Sequence, residues 1–280
     1  MSRDWRKSIN QTSATFRLAN VSTYVAPDSA ASPLPSPIDR FYESTRELLR
    51  AAHPDLIRDH PAMGALFLVG LVSATENYFR DIFARVIKIC PVAQSESADE
   101  SIHLGSVVWH GGLDAERGAF EHMSFAAAKN VRNTALKFLG YKIKQHGDTN
   151  AVLEEFDKVC ELRHGVVHSG AILAGKNAIK LGVSRANATL KIQLGFAQVQ
   201  ECGAICTTLV VAFNSELFEE MAARWAKQWR GTPSWDPAYE KERFRSIWDN
   251  FYSAIDQRTG QIPVSLSMEQ CMHAAFAELG

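Results

Sequence analysis

The sequence has no long apolar run, no dense cysteine framework and no excess of either charge, and each absence removes a class of protein. Its longest apolar stretch, 62–74, is too short to cross a bilayer and runs into Glu76 and Arg80. Residues 2–10 are charged and polar, unlike the apolar centre of a secretory leader, so a cytoplasmic location without membrane contact is expected. The five cysteines (Cys90, Cys160, Cys202, Cys206 and Cys271) are odd in number and scattered over apolar patterns, which predicts reduced, mostly buried thiols. Cys202 and Cys206 sit one turn apart, but no second pair at zinc-ligand spacing accompanies them. A formal net charge of −1 supplies no broad basic field of the kind that holds long duplexes. A nucleic-acid ligand would therefore be a short single-stranded segment held at a local site. No internal repeat is visible.

What is present is an ordinary globular composition over 280 residues, 46% apolar and 22% charged, enough to bury a sizeable core. Residues 1–37 are rich in Ser, Thr and Ala, with prolines at 27, 33, 35 and 37, and read as a flexible N-terminal arm. From there the pattern predicts a mostly α fold. A helix is expected over 38–52, ended by His53-Pro54, and a long one from Pro61 to about Ile89, closed by Cys90-Pro91. On the long helix Leu66, Val69, Ser73, Glu76, Arg80, Phe83 and Ile87 share one face, which should be buried although it carries two charges. Residues 94–101 read as an acidic, Ser-rich loop, and 104–123, with four glycines, stay ambiguous. Ser124 looks like the cap of a helix over 125–139, and Thr149 or Asn150 like the cap of one over 151–168, stopped by Ser169-Gly170.

Two alternating stretches, 179–183 and 190–194, predict a small β-hairpin at about 178–195. A long helix over 197–229 follows, then a break at Gly231-Thr-Pro-Ser-Trp-Asp-Pro237. Two shorter helices are expected over 239–255 and 268–279. The division is thus an arm (1–37), a helical domain (38–230) carrying the hairpin, and a C-terminal helical extension (231–280).

One segment carries the chemistry: Cys160-Glu-Leu-Arg163-His164-Gly-Val-Val-His168-Ser-Gly170. Val152, Phe156, Val159 and Arg163 fall in one apolar stripe, and an arginine there must be paired or functional, because an unpaired buried charge costs several kcal/mol. An arginine followed by a histidine at similar spacing also occurs at Arg117 and His122 and at Arg46 and His53. Only Arg163 is followed directly by a histidine, His164, and stands near the end of a strongly periodic helix.

The segment resembles the signature of the HEPN superfamily of metal-independent ribonucleases: an arginine, a polar residue, then a histidine a few positions on. Ser73-Ala-Thr-Glu76-Asn-Tyr-Phe-Arg80 looks like the glutamate-bearing helix beside the motif helix in many HEPN proteins. The resemblance covers roughly residues 40–215. It implies a HEPN-type helical bundle, a homodimer with motifs facing across a composite cleft, and an endoribonuclease of the prokaryotic toxin or antiviral-defence kind. The substrate would be single-stranded RNA such as a tRNA loop, with an antitoxin or defence-system protein as a further partner.

RNA brings its own nucleophile, the 2′-OH, so neither a metal nor another cofactor is required. Imidazole can move the protons, and guanidinium can hold the phosphate bidentately and stabilise the charge of the transition state. His168 is thus the expected acid/base and Arg163 the phosphate clamp. Glu76 would be a third catalytic-site member orienting one of them, with His164 and Arg80 on the substrate. Positions five apart lie about 140° apart on a straight helix, so Arg163 and His168 need a deformed helix near Gly165, an early helix end, or a second chain.

Plainer readings exist for each residue. Arg163 could be a structural partner of Glu76, and His168 a histidine favoured by the helix C-terminus. His164 and His168, one turn apart, could ligate a metal, but no adjacent glutamate or third ligand is evident. Glu76 with Arg80 makes an ion pair one turn apart. The aromatics Trp225, Trp229, Trp235, Trp248, Phe251 and Tyr252 are expected in the core rather than as a base-stacking platform. The alternative to an enzyme is a non-catalytic HEPN module for dimerisation or RNA binding, or a component silenced by a partner.

Overall fold

A computed structural model describes residues 18, 20–26, 34–110, 115–184, 187–233 and 235–280. The chain forms two compact units, Met1–Leu34 and Pro35–Gly280. In the first, Asn20 caps a 3-10 turn over Val21–Tyr24, its side chain accepting the Ser22 N–H at 3.2 Å. Most of the expected arm lies outside the described residues. Its last two positions, however, start the first helix of the second unit: Ser36 caps the Asp39 N–H and Pro37 opens α1, Pro37–Ala51.

Among the described residues the second unit is mostly helical and contains no strand. Its centre is α3, Ala62–Ile89, packed against α1, against α8 (Asp148–Ser169) and against α10 (Phe196–Lys227). A short α2, Pro54–Asp59, bridges α1 and α3. The long helix ends where Pro91 has no N–H to donate, and Pro91 instead opens α4, Pro91–Glu96, which runs into the 94–101 segment expected as a loop; α5, Leu104–His110, and α6, Ala115–Gly118, follow. Gly64 lets α3 meet the chain at Leu194: a Cβ there would stand 2.0 Å from the Leu194 carbonyl oxygen.

The buried face of α3 differs from the expected one. Leu66 is 60% exposed, whereas Leu68, Leu71, Val72, Phe79, Ile82 and Val86 have no exposure. The reason is that α3 is surrounded: its core spreads over most of the circumference, so a single stripe misjudges its centre. Phe79 and Phe213 meet edge to face at 5.1 Å, tying α3 to α10. Burying each such ring is worth about 1.5–3 kcal/mol. By length and composition alone α3 and Phe196–Gly231 are apolar enough to cross a membrane. In this fold the two helices pack on one another.

The C-terminal residues join the same core. Helix α11, Glu240–Phe251, contributes Phe244, Ile247 and Phe251 to the cluster. The Asp39 carboxylate of α1 accepts the Ser253 hydroxyl at 2.6 Å and the Ala254 N–H at 2.9 Å, satisfying the start of α12, Ala254–Arg258. A capping box of Ser267 and Gln270 starts α13, Met268–Leu279. Trp225 and Trp229 are buried as expected of core aromatics. All five cysteines are free, four of them buried.

The β-hairpin is not formed. Residues Gly175–Lys180 make a short helix, α9, and Ile179 is 81% exposed, so the alternation at 179–183 has no sheet face to bury. The 190–194 segment is extended but pairs elsewhere: Leu173 donates to Leu190 O at 2.9 Å and Ile192 to Ala171 O at 2.7 Å, around an isolated bridge between Ile172 and Lys191. Arg185 and Ala186 of the expected turn lie outside the described residues.

Candidate active site

Helix α8 carries the motif, and its end is shaped by two successive left-handed residues. Gly170 (φ 58°) returns its N–H to Gly165 O, and Ala171 (φ 66°) follows in the same region, a conformation disfavoured for a residue with a Cβ. The turn sends the chain back along α8. There α9 is held by the Asn177 amide, which donates to Glu161 O at 3.1 Å. Gly165 is buried because Ile192 packs on it: a Cβ would meet Ile192 Cδ1 at 2.5 Å.

Between the end of α8, α9 and the start of α7 (Ala128–Leu139) lies a cavity of about 460 Å³. Arg163, His164 and His168 all line it, joined by Lys129 from α7 and by Lys176 and Lys180 from α9. The helix remains α-helical through Ser169, so neither a deformation nor a second chain is needed to bring Arg163 and His168 to one cavity. The rings of His164 and His168 are 4.5 Å apart, inclined by 47°. Both histidines are exposed and Arg163 is half-buried.

Four cationic side chains thus face two carboxylates, Asp157 and Glu161, and both carboxylates are engaged. Asp157 Oδ1 accepts the Ala128 N–H at 2.6 Å, capping α7 from across the cavity, and Glu161 pairs with Lys180. That hydrogen bond holds the Lys180 ammonium above its ordinary pKa. Arg163 differs from them: among the described residues no hydrogen bond or ion pair occupies it, and its Nε is buried without a partner. A guanidinium whose Nε is desolvated and unmatched, beside a polar cavity, favours an anionic ligand.

Glu76 and Arg80 do not line this cavity. The Glu76 carboxylate accepts the Phe125 N–H at 2.8 Å and the Ser124 hydroxyl at 3.2 Å, with Arg80 at 3.5 Å. Arg80 in turn donates to Met123 O at 3.0 Å. The expected contact of Glu76 with Arg163 or His168 is therefore replaced by a clamp on the 123–125 turn, whose Ser124 forms part of the cavity rim. Cys160, buried between them, feels both Glu76 and Arg163, and burial foremost pushes its thiol well above the usual range. Ser124 does not cap α7: its hydroxyl accepts the Ala126 N–H, and the helix begins at Ala128.

In the other arginine–histidine pairs, one member of each has a local partner. Arg117 pairs with Asp81 at 3.1 Å, and His53 caps α2 through the Asp55 N–H. Lys129, Lys176 and Lys180 were not singled out by sequence, although Lys176 and Lys180 are one helical turn apart. Among the described residues no group of three or more His, Cys, Asp or Glu side chains is placed to hold a metal ion. No family model, curated protein or solved structure matches the chain.

Proposed function

We propose that the chain is a metal-independent endoribonuclease acting on single-stranded RNA at the α8 cavity. The observation that carries the reading is Arg163: a guanidinium without a partner among the described residues, lining one cavity with two histidines and three lysines. In this scheme Arg163 clamps the scissile phosphate and stabilises the charge that grows on its oxygens. His168 accepts the 2′-OH proton as the 2′-oxygen bonds to phosphorus, and returns a proton to the departing 5′-oxygen. The bond from phosphorus to the 5′-oxygen breaks, leaving a 2′,3′-cyclic phosphate and a 5′-hydroxyl. His164 positions the substrate. Glu76 and Arg80 act indirectly, as positioning residues that fix the Ser124 rim.

A local excess of cations on a chain of net charge −1 fits a short strand rather than a long duplex. A toxin or antiviral-defence role in the cytoplasm, a homodimer, HEPN membership and control by an antitoxin-like partner rest on the motif resemblance. Incubating the pure protein with total RNA in excess EDTA, beside Arg163→Ala and His168→Ala, tests the scheme. Cleavage that ignores EDTA and needs both residues is expected. RNA binding without cleavage by all three proteins would instead indicate a non-catalytic RNA-binding module.

A further inference from the structure

On the side of the core formed by α1, α10 and the C-terminal helices lie two adjoining cavities that share no residue with the α8 site. The first, about 370 Å³, is mainly apolar, with Phe218, Trp248, Phe251, Val264 and Leu266 among its walls. Its size lies within the range of small-molecule sites, roughly 300–1,000 Å³. The second, about 690 Å³, is more open and carries two arginines of α1, Arg46 and Arg50. Val211, Asp256 and Gln261 line both, so one continues into the other.

The cover of the apolar cavity is a strap over 259–266. It turns on Gly260 (φ 69°), is joined to α12 by the Gln261 N–H on Asp256 O at 2.9 Å, and is tied further on by Gln257 donating to Ser265 at 3.2 Å. Val264 on the strap remains 68% exposed. The charges at the open end are unequal. Asp256 already accepts the Tyr42 hydroxyl at 3.1 Å, while Arg46 and Arg50 make no hydrogen bond or ion pair among the described residues.

We infer that these joined cavities bind an amphipathic organic anion, its apolar body under the strap and its head at Arg46 and Arg50. The apolar walls supply most of the affinity by removing hydrocarbon from water. The two guanidiniums select an anionic head over a neutral one. The site stands independently of the nuclease scheme, and either can fail without the other.

The probe is parinaric acid, a fluorescent polyene fatty acid, titrated into the full chain beside its uncharged methyl ester. Saturable one-site binding of the acid is expected, and the Arg46→Gln/Arg50→Gln double variant should weaken it about tenfold while leaving the ester within about twofold. Val211→Trp, filling the shared wall, and Leu266→Glu, changing the half-exposed strap, should each weaken both probes. Absence of saturable binding by the native chain would overturn the proposal, as would acid binding indifferent to the arginine pair. Binding unchanged in both Val211→Trp and Leu266→Glu would place the probe elsewhere and overturn it equally. Two blocking variants guard against one of them failing to fold, checked by circular dichroism.

Discussion

The Glu76 carboxylate accepts the backbone N–H of Phe125 at 2.8 Å, joining the centre of α3 to the turn that forms the rim of the α8 cavity. This buried contact separates structure from chemistry. Glu76→Ala leaves the Phe125 N–H and Arg80 without their shared acceptor, and should cost about 2–4 kcal/mol. Thermal unfolding should fall by roughly 5–12 °C at this chain size, and Glu76→Gln should recover part of it.

Arg163 predicts the opposite pattern. Because no described residue pairs with it, Arg163→Ala should shift the melting temperature by less than about 2 °C. RNA cleavage should nevertheless fall by at least about 100-fold, since a guanidinium on developing phosphate charge contributes several kcal/mol. Arg163→Lys should restore little, because an ammonium lacks the bidentate fork. A large loss of stability in Arg163→Ala would favour a structural arginine.

His164 and His168 should divide unequally. His168→Ala is expected to lower the single-turnover rate by about 10²–10⁴, the range for a proton-transfer group. His164→Ala should act mainly on the RNA concentration needed for half-maximal rate. Equal effects on both parameters from both variants would count against the assigned roles.

The buried thiols give a prediction about pH. Burial raises Cys202 to about 11 and Cys206 to about 12, and Cys160 further. In the unfolded chain a thiol titrates near 8.5. Their contribution to stability is therefore complete below about pH 8.5 and declines as pH rises from there through the folded values, because only the unfolded chain gives up protons. Chemical denaturation from pH 8 to 10.5 should show falling stability, and a serine triple variant should show a shallower fall. A thiol reagent at pH 8 should leave these three cysteines unmodified in the native protein.

Much of the helical frame was legible from sequence because its signals are local. Cys90-Pro91 closes α3, Gly140 and Gly170 take the left-handed positions that end α7 and α8, and the Met268–Leu279 helix has its capping box in the sequence. The expected hairpin gives way to a helix because a short apolar alternation does not distinguish a strand from a helix turn. Asn177 bonding to Glu161 O settles 175–180 as helix, and that contact spans sixteen residues. The same limit applies at the site. A charge at position 76 on a core helix was visible, but its acceptor role at Phe125 depends on how the 123–125 turn folds back. Asp157 capping Ala128, and the convergence of Lys129 with Lys176, arise only when α7, α8 and α9 meet.

The extended 190–194 segment yields a final structural prediction. Gly64→Ala would drive a methyl group into the Leu194 carbonyl, which is backbone and cannot rotate away. A loss of about 1–3 kcal/mol is expected by denaturant titration, the usual range for overpacking. Unchanged stability would mean that 190–194 does not lie against α3.

The most direct measurement is the chemistry of the ends left on RNA. With excess EDTA present, fragments released by the native chain should carry 2′,3′-cyclic phosphates and 5′-hydroxyls, and both Arg163→Ala and His168→Ala should release almost none. Fragments ending in 3′-hydroxyls, or cleavage by either variant at the native rate, would contradict the account.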